Sequence, residues 1–185
     1  MSSADVSKIL GYGRRTGQRM NRVLRRLASG LVSQYLPGAT EWDEVMFSGQ
    51  WVLRGVSRAT QQCLLRCIEN RAERTLTPLV EQSTDGERPI MTDEHWGYHR
   101  PLNHWTACHA REFVRKEARF VHTNTQEGIW GHAKELSRHR YRGFPRSALL
   151  SFLAEFMLRY NLPEYNKRVS VLSALLARKM NTDVV

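Results

Sequence analysis

Apolar and polar positions change period along the chain, and the changes mark its elements. From about Arg14 to Val32, Met20, Val23, Leu24, Leu27 and Leu31 recur at helical spacing and predict an amphipathic helix. A shorter helix over Asp5–Leu10 precedes it, and Gly11-Tyr12-Gly13 separates the two. Pro37-Gly38 closes this part. Beyond it the pattern predicts strands over Trp42–Phe47, Trp51–Ser57 and Gln62–Glu69, the first two joined by a turn at Ser48-Gly49-Gln50. Cys63, Leu65 and Cys67 share one face of the third strand. Ala72–Gln82 reads as a helix with Leu76, Leu79 and Val80 inward, and Asp85–Arg88 as a turn. A short buried strand, Pro89–Thr92, leads to Asp93 at its C-terminal end. A short helix from Glu94 to His99 and a strand over Trp105–His109 follow. Next come a basic loop, Arg111–Arg119, and a helix opening near Thr123-Asn124, where side-chain oxygens can cap free N–H groups, and reaching about Arg138. Two helices close the chain, Ser147–Tyr160 and Pro163–Lys179.

Three strands, helix, strand, short helix, strand, helix is the order of an α/β fold with a mixed sheet flanked by helices. It matches a ribonuclease H-like architecture with an N-terminal helical, helix-turn-helix-like segment and C-terminal helices. Three segments are expected: a basic helical part over 1–36, the α/β domain over 37–161, and a C-terminal helix and tail over 162–185. The 185 residues are 41% apolar and 25% charged, as in globular proteins. What changes the picture is the charge. A net +10, with a pI near 10.1, argues for a polyanionic partner, nucleic acid above all. Arg14, Arg15, Arg19, Arg22, Arg25 and Arg26 fill much of the first long helix outside its apolar stripe. Arg138, Arg140 and Arg142 lie in a second basic stretch, interleaved with aromatic residues. Arginine grips phosphates bidentately, although a solvated basic helix has the same pattern. No apolar run approaches the length of a membrane span, and Met1–Lys8 is followed by no signal-peptide core. The three cysteines make no C-x-x-C pair, so neither a zinc ribbon nor a disulfide framework is expected.

Three acids fall where this architecture can bring carboxylates to one sheet edge: Asp43 on the first strand, Asp93 after the fourth, and Glu127 early in the helix that follows the basic loop. Phosphodiester chemistry needs charge neutralised at the attacking, leaving and bridging oxygens. Two magnesium ions held by carboxylates from separate elements can do this. Lys134 lies two helical turns after Glu127 on the same face and can meet a phosphate as a point charge. Singly, each acid could equally be a turn, cap or solvated surface residue.

The motifs around them carry a resemblance. His122-Thr123-Asn124-x-x-Glu127-x-x-Trp130-x-x-x-Lys134, with Phe152-Leu153-x-Glu155-Phe156-x-x-Arg159-Tyr160-Asn161, resembles the DDE transposases of the ISXO-like group of insertion sequences, which is related to the Merlin elements of animals. Trp42-Asp43-Glu44, Trp51–Arg58 and Thr92-Asp93-Glu94-x-x-x-Tyr98-x-x-x-Leu102 resemble the family's first-aspartate, second-strand and second-aspartate segments, and His109 stands at a family histidine. The resemblance spans about residues 8 to 161. It implies a ribonuclease H-like domain with two Mg2+ or Mn2+ ions held by Asp43, Asp93 and Glu127. It also implies Lys134 as the accompanying basic residue and Asn124 as a second candidate for the third position. The implied reaction is cleavage at transposon ends followed by strand transfer. The implied partner is double-stranded DNA, bound by a homodimer or larger assembly in the nucleoid of a bacterium or the nucleus of a eukaryote. The chain departs from the pattern in lacking zinc-ribbon cysteines, in having only a short link between Asp43 and Trp51, and in carrying Gln126. The alternative reading is therefore a DNA-binding transposase remnant without activity.

Overall fold

A computed structural model describes residues 11–31, 33–98, 103–106, 124–141 and 146–182, without side-chain detail at 29, 31, 124–127, 140, 141 and 175–182. It divides into two compact units, Ser33–Ser147, and Met1–Val32 together with Ala148–Val185. The helix expected over Asp5–Leu10, the basic loop Arg111–Arg119 and Arg142 lie outside the described residues.

The unit that carries the acids is built on a five-stranded sheet. Its strands are β1 (Thr40–Phe47), β2 (Gln50–Ser57), β3 (Cys63–Ile68), β4 (Ile90–Thr92) and β5 (His104–Thr106), in the order β3-β2-β1-β4-β5. The first three form an antiparallel meander, whereas β4 runs parallel to β1 and β5 parallel to β4. This is the mixed sheet that the sequence predicts, and it fits the ribonuclease H-like fold. The β1–β2 turn falls on Ser48 and Gly49, both with positive φ (50° and 73°), the conformation that matches the right-handed twist of paired strands. A two-residue turn pairs Phe47 with Gln50 and, further along the hairpin, Asp43 with Arg54.

Alternation along β1 sends its side chains to two different layers. Trp42 and Glu44 face one side. There Trp42 closes over Gly55, where an added Cβ would stand 2.6 Å from the indole and 2.8 Å from Leu36. The helix α2 (Glu73–Gln82) buries Leu76, Thr77 and Val80 in this unit, and Thr77 donates to the Gly97 carbonyl at 3.3 Å, tying it to the loop after β4. Asp43 and Phe47 face the other side. There α3 (Asn124–Leu136) buries Ile129, Trp130 and Ala133, and Trp130 stacks on Phe47 with ring centres 5.5 Å apart. The helix gives way at Ser137–Tyr141 to a stretch of π-helix that includes Arg138.

The second unit contains α1 (Arg14–Leu31), α4 (Leu149–Asn161) and α5 (Tyr165–Thr182). Ala28, Ala154 and Leu158 form a small core, with Leu162 and Leu172 against it. Arg25 donates to Glu155 at 2.9 Å and Arg159 to the same carboxylate at 2.8 Å. Sequence grouping puts α4 with the α/β domain; its packing groups it with α1.

Candidate active site

Of the two expected aspartates, Asp43 stands on β1 and Asp93 directly follows its parallel neighbour β4. The parallel register of β1 and β4 pairs Thr40 with Ile90 and Glu41 with Met91, and Asp43 and Asp93 each lie two residues beyond the last of these pairs. Their charges act on the same neighbours: burial is the first reason that the Glu44 carboxyl and the Tyr98 phenol are raised, and the negative charges of Asp43 and Asp93 add to both rises.

Asp43 is held from the next strand. The Arg54 guanidinium donates to Asp43 Oδ2 at 2.8 Å and lies 4.8 Å from the Trp130 ring centre on α3. Arg54 is only 1% exposed, and Asp43 is 33% exposed. Burial pulls the Arg54 pKa down to about 10 and the Asp43 charge works against that fall, so Arg54 stays charged at neutral pH. Sequence reading missed Arg54, because it gave Gln50 to the turn; in the structure Gln50 opens β2 opposite Phe47, and the two-residue turn fixes the partner of every β1 residue.

Asp93 is held by its own loop. Its Oδ1 accepts the His95 N–H at 3.0 Å, and His95 Nδ1 accepts the Gly97 N–H at 3.0 Å. That ring nitrogen therefore carries no proton. His95 is pushed down, first by burial and then by the Arg71 charge. Its 3.7 Å approach to Glu44 is accordingly a contact between neutral ring and carboxylate rather than an ion pair. The Thr92 hydroxyl donates to the Asp93 carbonyl at 2.7 Å and sits 2.7 Å from His104 Nε2 on β5.

On the opposite face of β1, Glu44 is buried. It accepts the Tyr98 hydroxyl at 2.5 Å and the Arg71 guanidinium at 3.3 Å, while Arg71 lies over Trp51 at 4.3 Å. Burial is the largest reason that its carboxyl is raised, and the Tyr98 hydrogen bond opposes the rise.

Glu127 and Asn124 lie in the first turn of α3, with side chains outside the described residues. Glu127 is one turn before Trp130, the residue that docks this helix on the Asp43 face. Lys134 is exposed one turn beyond it. Arg14, Arg15, Arg19, Arg22 and Arg26 are exposed on α1, as is Arg138 beyond α3; the side chain of Arg140 is outside the described residues. Among the described residues, no three His, Cys, Asp or Glu side chains are placed to share a metal.

The family model for the ISXO2-like transposase domain matches residues 45–161, more than half of the chain. The chain belongs to this family. Asp93, Asn124, Glu127 and Lys134 lie inside the matched span, and Asp43 lies two residues before it. A comparison with curated proteins finds no match. Glu155, Arg159 and Asn161, at the end of the matched ISXO2-like span, belong to α4, where Glu155 pairs with Arg25 of α1 and with Arg159 one turn on in its own helix. Among the described residues, no helix is long and apolar enough to cross a membrane.

Proposed function

We propose that this ISXO2-like domain is a DDE transposase, which cleaves DNA at the ends of a mobile element and joins the freed ends to target DNA. The observation that supports the reading is that Asp43, on the face of β1 where α3 docks, and Asp93, directly after β4, follow the registered positions of two adjacent parallel strands. Carboxylate oxygens are the donors that Mg2+ and Mn2+ prefer, so this donor set fits such ions. When bound, two ions would supply charge neutralisation at the reacting phosphate and an activated water. Asp43 would serve both ions, and Asp93 and Glu127 would each complete one side, with Asn124 the alternative at that third place.

In the first step, water oxygen attacks the phosphorus at the element end, the P–O3′ bond breaks, and the oxygen leaves as a free 3′ hydroxyl. In the second step, that hydroxyl attacks a target phosphodiester and displaces the target's own 3′ oxygen. No covalent enzyme intermediate forms. Lys134, exposed two turns after Glu127, meets the DNA backbone. Arg14, Arg15, Arg19, Arg22 and Arg26, with Arg138, Arg140 and Arg142, neutralise phosphates, and two copies bring two ends together.

The test is magnesium-dependent cleavage of DNA ends. Asp93→Ala is expected to abolish the product while leaving salt-sensitive DNA binding in place. Full cleavage by Asp93→Ala contradicts the assigned site. Binding without cleavage by the unmodified chain, across ends and metals, favours a DNA-binding remnant.

A further inference from the structure

We infer that Glu44 and Tyr98 are positioning residues: their buried hydrogen bond clips the loop that carries Asp93 to the strand that carries Asp43, and so sets the spacing of the two carboxylates. This role rests on the metal-site reading of Asp43 and Asp93. Glu44 follows Asp43 in β1, and alternation turns it to the opposite face, so it is no third ligand on the Asp43 side. Its carboxylate is committed there, with Oε2 to the Tyr98 hydroxyl and Oε1 to Arg71.

Tyr98 ends the segment that begins at Asp93, and the turns within that segment are bonded. Asp93 Oδ1 takes the His95 N–H, the His95 carbonyl takes the Tyr98 N–H at 3.1 Å, and His95 Nδ1 takes the Gly97 N–H. Gly97 admits no side chain, because a Cβ would press on the Arg71 carbonyl and come within 2.7 Å of Leu76 on α2. The segment is thus a stiff hook with Asp93 at one end and the Tyr98 hydroxyl at the other. Short β4 pairs with β1 over only two registered positions, Thr40 with Ile90 and Glu41 with Met91. The ladder therefore ends before Asp93, and the Tyr98–Glu44 bond is a tie beyond it. Outer partners of metal-holding groups act in this way, by fixing the donors that touch the ion.

The test is Mn2+ binding, read by electron paramagnetic resonance of the free ion, on the full chain without DNA. Circular dichroism and thermal unfolding are run on the same samples. Asp43→Asn and Asp93→Asn should each weaken binding; if neither does, the metal-site reading itself fails. Given that they do, Tyr98→Phe should raise the Mn2+ dissociation constant about tenfold, the scale expected when an outer partner is removed. Its far-ultraviolet spectrum should remain that of the unmodified chain. Glu44→Gln, which keeps an oxygen for the Tyr98 hydroxyl, should recover most of that affinity relative to Glu44→Ala. The inference is overturned if Tyr98→Phe changes Mn2+ affinity by less than about twofold while both aspartate variants lose it. It is equally overturned if Glu44→Gln and Glu44→Ala weaken Mn2+ binding alike at equal thermal stability. Should Glu44→Ala fail to fold, the Tyr98→Phe result decides.

Discussion

Arg54 and Asp43 are unequal partners, and the inequality has consequences for every test of the site. The arginine is buried and the aspartate is one-third exposed. Removing Asp43 takes a carboxylate from a buried cation, whereas removing Arg54 leaves a carboxylate that water can reach. Asp43→Ala should therefore cost about 2–4 kcal/mol in urea unfolding, and Arg54→Met about 1–2 kcal/mol. Equal losses would contradict the role assigned to burial. For this reason Asp93→Ala separates chemistry from folding better than Asp43→Ala does. Another buried titratable group of this sheet, Cys63, is pushed up to about 12 by burial. The thiol stays protonated in the folded chain while the unfolded chain releases its proton near the ordinary value. Stability is thus untouched by this group below about pH 9 and declines as pH rises from there towards 12. Correspondingly, Cys63 should resist iodoacetamide at about pH 8 in the native protein and react after unfolding in urea; rapid native labelling would contradict its burial.

At the scale of elements, the period-two strands, a turn between the first two, though one residue longer than the observed Ser48-Gly49, and the position of Asp93 at a strand end were legible in the sequence, because each depends on local pattern. Partners across the sheet depend on register as well, which is why Arg54 escaped notice until the turn fixed its place opposite Asp43. The first helix shows the other limit. Its apolar stripe suggests that Met20 and Val23 pack inward, yet they are 37% and 40% exposed. The seam in the helical unit instead uses Ala28 against Ala154 and the Arg25–Glu155 pair. Small residues allow close approach but carry little weight in a hydrophobic pattern. Packing at the hairpin also makes a measurable demand. Gly55→Ala forces the Trp42 ring or β2 to move, and should lower unfolding free energy by about 1–3 kcal/mol in denaturant titration. A loss within experimental error would show that the Trp42 wall yields.

For the whole molecule, charge and family were legible together: a basic chain, and motifs that led to the ISXO2-like family. The sequence did not reveal Glu44 and Tyr98 as a tie, because they are distant in the chain and meet only once β1 and the loop after β4 are folded side by side. DNA binding by this basic molecule should weaken steeply with salt. Replacing Arg14, Arg15 and Arg19 by alanine should reduce the slope of log K against log salt by about 2–3, roughly one for each phosphate that is no longer neutralised. An unchanged slope would remove α1 from the DNA surface. The most direct test of the whole account is strand transfer: purified chain, Mg2+ or Mn2+, and pre-cut DNA ends from the sequence flanking the gene. The account predicts joined products that form only with metal and disappear in Asp93→Ala and Glu127→Gln, while both variants still bind the ends. Joined products of undiminished yield from Glu127→Gln and Asp93→Ala would contradict it.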